Sequence, residues 1–446
     1  MKKITKMVMM LLAGVLSLGL TACSDDDTET TPEQNPNVRV DGQMGAIVKK
    51  YVNDVVLTTY TDLASSAITL REACADLYAR RKAGTLTQAD IDKACDAFKA
   101  CRRYWEQSEA FLYGAASDNE IDPHMDSWPL DQDQLVQALT NAEVIAGING
   151  SAPGQFVYSK NGEFDSTMGF HGLEFVLFRN GAPRTLAAFT AEYEDGDDVA
   201  SESNREKLKT VRTVDEAAFA AAVSEDLMNM TCLLEYGWLG DGIQQSHKAV
   251  LDSAPWVISS LRYKGLSSAG IAYGAWYTSN DRTKAAYQTW HETLQNIFVG
   301  GCSNICQEVY TQKLGQAYRV ATGNAADGDA GDYIESPYSK RSFQDYQDNI
   351  YSIKNTLYGL RDTEDKTAPH ATSIMAFLRD NGYENYSALN AAIEKAIATL
   401  GAAKNSGKAF IDAPGDPQVK ACIDAVNELD DQLGLAGTWI GKVADK

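Results

Sequence analysis

The chain has 446 residues, and 61 acidic against 40 basic side chains give it a formal charge of -21. That balance excludes the basic footprint of a nucleic-acid-binding protein and favours cations as partners. The length exceeds what one hydrophobic core usually supports, so two domains are expected.

Lys2, Lys3 and Lys6 open the chain as a basic patch, followed by the apolar run Met7 to Leu20. That run is short for a bilayer core of roughly 30 Å and has signal-peptide proportions. It ends in Leu20-Thr21-Ala22-Cys23, which resembles a bacterial lipobox. Residues 1–22 therefore read as a signal peptide, and Cys23 as the site of lipidation that anchors the mature chain to a membrane. Residues 23–36 read as a solvated tether with little to bury. The acidic run after Cys23, Ser24 to Asp27, resembles a surface-export signal of some Gram-negative lipoproteins. Cell-surface display is therefore expected ahead of the periplasmic face.

Helical periodicity dominates the remainder. It predicts helices over Val48 to Arg81, Ala89 to Tyr113 and Asp131 to Ile148, with Gly84 and Thr87 separating the first two. The apolar run His171 to Phe178 fits a strand or a buried helix, and its neighbours favour helix. An acidic loop, Glu192 to Ser203, precedes a helix over Val214 to Trp238. Leu239 to Thr283 is irregular and rich in Gly, Ser and aromatics, as an interdomain crossover or an insertion would be. Further helices are expected over Thr283 to Arg319, with a break near Gly300-Gly301, and over Phe343 to Leu360, Tyr386 to Leu400 and Asp416 to Leu433. No alternating strand series appears. The expected architecture is all-α, two helical bundles in tandem, with domains at 37–246 and 247–446.

Besides Cys23 the chain carries Cys74, Cys95, Cys101, Cys232, Cys302, Cys306 and Cys422. The count is odd and no C-x-x-C pair suggests a zinc ribbon. Cys302 and Cys306 could be bridged in an oxidising compartment; most of the others read as buried thiols.

The strongest chemical motif is Gly169-Phe170-His171-Gly172-Leu173-Glu174. On a helix, residues three apart share a face, so His171 and Glu174 can converge on one cation. The bland reading is a core histidine bonded to its neighbouring carboxylate. The zincin signature H-E-x-x-H is absent; His291-Glu292-Thr293-Leu294-Gln295 ends in glutamine where the second histidine would stand. Asp327, Asp329 and Asp332 lack the spacing of a calcium loop and read as a solvated turn. His124 and His370, beside prolines, are expected at the surface.

Context sharpens the motif. Upstream stand Arg103-Tyr104-Trp105-Glu106-Gln107-Ser108-Glu109-Ala110-Phe111-Leu112-Tyr113-Gly114, then Ile121-Asp122 and Ser127-Trp128-Pro129-Leu130-Asp131. Downstream stand Glu335-Ser336-Pro337-Tyr338-Ser339, then Asp345, Asn349, Asn355 and Gly359. In this order around G-x-H-x-x-E, the segments resemble the imelysin-like family, also filed as peptidase family M75, from about Gln43 to the C-terminus; Gly240 to Thr283 matches no part of it. The resemblance implies two four-helix-bundle domains with a functional site at their interface, and an association with bacterial iron uptake. It places His171 and Glu174 in that site, faced by Glu109, Ser336 and Ser339, with Trp105 and Trp128 as packing walls. As a metal set, His171, Glu174 and Glu109 are oxygen and nitrogen donors suited to iron or another divalent transition metal. The leading expectation is a lipoprotein that binds iron or an iron compound for uptake without catalysis, handing it to an outer-membrane transport partner. The alternatives are a metallopeptidase and a glycan- or protein-binding surface lipoprotein, the last drawing on 21 tyrosines and 7 tryptophans.

Overall fold

The computed structural model describes residues 36–164, 167–196 and 199–443. The signal peptide, Cys23 and the tether up to residue 35 lie outside the described residues. Helices make up nearly all the regular structure. Among the described residues the only strands are Phe178–Arg179 and Ala182–Pro183, a two-residue antiparallel hairpin.

The principal helices are α1 (Pro36–Tyr51), α2 (Leu57–Ala83), α3 (Gln88–Glu106), α4 (Phe170–Leu177), α5 (Thr213–Leu239), α6 (Ser342–Tyr358), α7 (Tyr386–Lys404) and α8 (Pro417–Ile440). One π-helical turn, Val52–Val56, joins α1 to α2, so the first helix begins well before the expected Val48. Gly84 ends α2 in the left-handed region at φ 68°, where its N–H reaches the carbonyls of Arg80 and Arg81. Thr87 and Asp90 then cap α3 reciprocally. The expected continuation of α3 to Tyr113 does not occur. The helix stops at Glu106, and Glu109–Phe111 forms a separate 3-10 turn that takes Glu109 off its face.

Other boundaries shift for local reasons. Asn141 divides the expected third helix into Gln132–Thr140 and Ala142–Ile148, its side chain capping the second. The segment from Gly240 holds three short helices, Gln245–Ser253, Pro255–Ser259 and Tyr273–Thr278. Residues 290–321 are helical with two π segments, Asn296–Ser303 and Val309–Lys313; the first contains the glycine pair expected to break the helix. The seven cysteines among the described residues are buried free thiols, so Cys302 and Cys306 are not bridged.

Helix α2 packs against α3 and α5, while α6, α7 and α8 pack together with the run 290–321. α1 leans on the second set through Trp290–Gln295 and Ile374–Asp380, and α3 meets α6. α5 is apolar on most sides because it is enclosed: 89% of its most apolar window is buried inside the protein, as expected of a central core helix.

Candidate metal centre

The site begins with two close backbone approaches. A Cβ at Gly169 would run into the Met125 carbonyl oxygen, and one at Gly172 into the Thr167 carbonyl oxygen. Glycine at 169 lets α4 lie against the turn that carries Asp126, and glycine at 172 lets it lie against the segment that leads into it. Every residue of α4 is buried, including His171 and Glu174.

His171 Nε2 lies 3.1 Å from Asp126 Oδ1, close but poorly aligned for a hydrogen bond. Trp105 Nε1 donates to the other Asp126 oxygen at 2.7 Å, so this indole is more than a packing wall. Arg102, one α3 turn before Glu106, is the hub: its guanidinium pairs with Asp126, Glu106 and Glu335. Lys313 Nζ sits 3.0 Å from Glu335 and 4.0 Å from Glu106. Asn349 of α6 donates to Glu106 Oε2 at 2.5 Å. Glu174 Oε1 accepts from the Ser339 backbone N–H at 2.7 Å and from its hydroxyl at 2.5 Å. Glu174 Oε2 has no partner although the side chain is 0% exposed. Ser336, held at φ 52°, donates instead to Asp345 at 2.5 Å.

Acids outnumber bases here. Glu106, Asp126, Glu174, Glu335 and Asp345 are buried, and half-buried Glu109, Asp122 and Glu308 adjoin them, against Arg102, Lys313 and half-buried Arg341, which lies 3.5 Å from Asp345. Burial pushes Glu106 and Glu109 well above the usual carboxylate range, opposed by Arg102 and Lys313 respectively. Burial also pushes Asp122 up to about 7, with Asp126 adding to the effect. Asp126 goes the other way: burial would raise it, but Arg102 and His171 outweigh burial and hold it low. Glu174 is raised by burial, with His171 and Ser339 opposing.

Among the described residues two triplets lie close enough for one ion: Asp126, His171 and Glu335, and Glu106, Glu109 and Asp126. Within each, the ligand atoms are all within 4.8 Å of one another. His171 and Glu109 thus enter different triplets that share Asp126. Glu174, Ser336 and Ser339 enter neither triplet and border the first through Ser339–Glu174 and Ser336–Asp345. Sequence reasoning passed over Arg102, Asp126, Lys313 and Glu335 as site residues. Arg102 and Glu106 did carry a signal, a charge pair four apart inside an otherwise apolar helix face. Asp126 carried none, since its partners lie elsewhere in the chain. Trp128 covers Lys313, whose ammonium is 5.4 Å from its ring centroid. His124 is not at the surface: it is 4% exposed and bonds Asp226 at 2.5 Å. Asp329 pairs with Arg319 at 2.6 Å inside a local turn.

Comparison with known proteins agrees with this arrangement of helices. Iron-regulated protein A from Synechococcus elongatus is 30% identical over 131 residues, which is 29% of this chain and 31% of that protein. The match therefore spans less than a third of the curated relative. A crystal structure from Parabacteroides distasonis, provisionally named an iron-regulated protein A precursor, superposes with a TM-score of 0.66 at 25% identity, covering 89% of this chain and 95% of that one. An imelysin-like protein from Psychrobacter arcticum shares the fold with a TM-score of 0.50 at 13% identity, over 88% and 93% of the two chains. The family model for imelysin, Peptidase_M75, matches residues 56–433, and with that span the chain belongs to the imelysin family.

Proposed function

We propose that this protein binds iron as a divalent transition-metal cation for uptake, and that binding rather than catalysis is its role. The carrying observation is the buried convergence of Asp126, His171 and Glu335 within 4.8 Å. Carboxylate oxygens with one imidazole nitrogen suit ferrous iron better than a thiophilic metal. Buried carboxyl groups outnumber the bases around them, and those that burial holds protonated would release their protons to make room for a bound cation. The unpartnered Glu174 Oε2 is a further donor beside it. The names of the Synechococcus and Parabacteroides relatives connect those proteins with iron. A lipid anchor on Cys23, with display at the cell surface and delivery to an outer-membrane transport partner, completes the proposal.

The test is metal analysis of protein purified without chelator, followed by anaerobic titration with ferrous iron. His171→Ala and Glu335→Gln are expected to weaken binding by at least about tenfold while the helical circular-dichroism signal persists. Unchanged affinity in both variants would overturn the assignment. Chelator-sensitive cleavage of an unfolded protein, lost in Glu174→Ala, would put the peptidase alternative in its place. Cys23→Ser should shift the protein from the membrane to the soluble fraction; retention in the membrane would remove the anchor.

A further inference from the structure

The segment from Gly240 to Thr283, unassigned in the sequence, contributes Ser260 to Tyr263 to one wall of a second cavity, whose lining includes none of the residues of the two metal triplets. A space of about 340 Å³ opens on the face formed by residues 115–125, Tyr158, the middle of α5 and residues 260–263. That volume is at the small end of the range for small-molecule sites. Its floor is apolar, with Met230 and Leu233 of α5 buried beneath it.

The segment fixes the walls by several independent contacts. Tyr158 hydroxyl meets Ser260 Oγ at 3.1 Å, and the Tyr158 ring packs on Trp256 with centroids 5.0 Å apart. Tyr273 donates to Asp118 at 2.6 Å, and the Asn119 amide reaches the Gly265 carbonyl at 3.4 Å. Glu120, at the rim, is held in the left-handed region at φ 54°, a costly conformation for a residue with a Cβ. Tyr263 stands at the mouth, 39% exposed, with the Arg262 guanidinium 5.0 Å from its ring centroid.

We propose that this cavity binds a single neutral pyranose-type sugar ring. The apolar C–H face of such a ring would stack on Tyr158 or Tyr263, large amphipathic surfaces that cost little conformational entropy to present. Its hydroxyls would donate to Glu120 and to the Asp118 oxygen that Tyr273 leaves open, and accept from Asn161 and Arg262. Two rim carboxylates on a chain of charge -21 disfavour an anion. The pairing of those carboxylates with an amide and a guanidinium matches groups that both donate and accept, which a polyol supplies and a bare cation does not.

Saturation-transfer NMR on the full mature chain, with glucose, galactose, mannose and N-acetylglucosamine at millimolar concentration, tests this independently of iron. At least one sugar is expected to show transfer, weakened tenfold or more in Tyr263→Ala and in Glu120→Gln. Melting temperature and iron affinity should stay unchanged in both variants, since neither residue enters the metal centre. Absence of transfer from every sugar overturns the proposal, and so does transfer that both variants retain in full. Choline and glycine are run alongside, and a response confined to them also overturns the proposal, making the cavity a cation or zwitterion site.

Discussion

Lys313 occupies space that a bound cation would contest. Its ammonium lies 3.0 Å from Glu335 and is 1% exposed, so it neutralises part of the buried acid cluster. Lys313→Met should therefore act in opposite directions on two measurements. Removing one partner of a buried ion pair costs about 3–5 kcal/mol, which urea unfolding of the metal-free protein would read. Ferrous-iron affinity should rise, because the freed carboxylates attract the ion without a competitor. Lower affinity in a folded variant would show that Lys313 assists the ion rather than standing in for it. The residues differ in how readable they were. His171 and Glu174 sit three apart in one compact motif, and Ser339 was named through the family resemblance of its segment. Asp126 and Lys313 acquire their meaning only from partners brought together by folding, and no spacing rule reaches that far.

Among elements, α4 depends on its glycines more than on helix propensity. Gly169→Ala would force a methyl group into the Met125 carbonyl, so α4 or the Asp126 turn must move. Overpacking of this kind costs about 1–3 kcal/mol. A lower melting temperature together with weaker iron binding is expected, whereas Gly42→Ala on α1, where a Cβ meets nothing within 4 Å, should leave both nearly unchanged. Equal effects at the two positions would detach Gly169 from the site. The long helices were legible because burial on one face writes a 3.6-residue period into the sequence. The π turns were not, since inserting one residue in a helix rotates the face without a compositional mark. The end of α3 was missed for a related reason. Residues 107–113 keep helical composition, and the Glu109–Phe111 turn is set by tertiary contacts with Asn296–Ser303 and with α6.

At the scale of the whole molecule, a second buried charge network couples stability to pH. Arg184 bonds Glu216 at 3.1 Å and also pairs with Glu194, tying the hairpin region to α5. Burial would raise Glu194, but Arg184 and Arg179 outweigh it and bring the carboxyl down to about 2. Burial pushes Glu216 up to about 8, against the pull of Arg184. Between about pH 2 and an ordinary glutamate value of 4.5, the unfolded chain binds the proton that native Glu194 refuses, so stability rises with pH. Between 4.5 and about 8 native Glu216 keeps a proton that the unfolded chain has released, so its contribution falls as pH rises. Glu216→Gln cannot titrate. Relative to wild type it should gain roughly 2–4 kcal/mol between pH 5 and pH 8 in urea unfolding. A constant difference across that range would mean that Glu216 is ionised in the folded protein.

The Arg102–Glu335 pair joins residues 233 positions apart, and Ser339 reaches back 165 positions to Glu174. Closing loops of that length is slow, and contacts so distant in sequence reward the chain only after most of its local structure exists. Until they close, both sets of charges remain hydrated and the acid cluster has no reason to assemble. Helix content should therefore recover early in refolding, while burial of the tryptophans, Trp105 among them, and competence to hold iron return together in the slowest phase. Stopped-flow circular dichroism, followed against tryptophan fluorescence, would separate the two. The proposed metal site would then double as a checkpoint, since only a chain that has finished folding would bring its donors together.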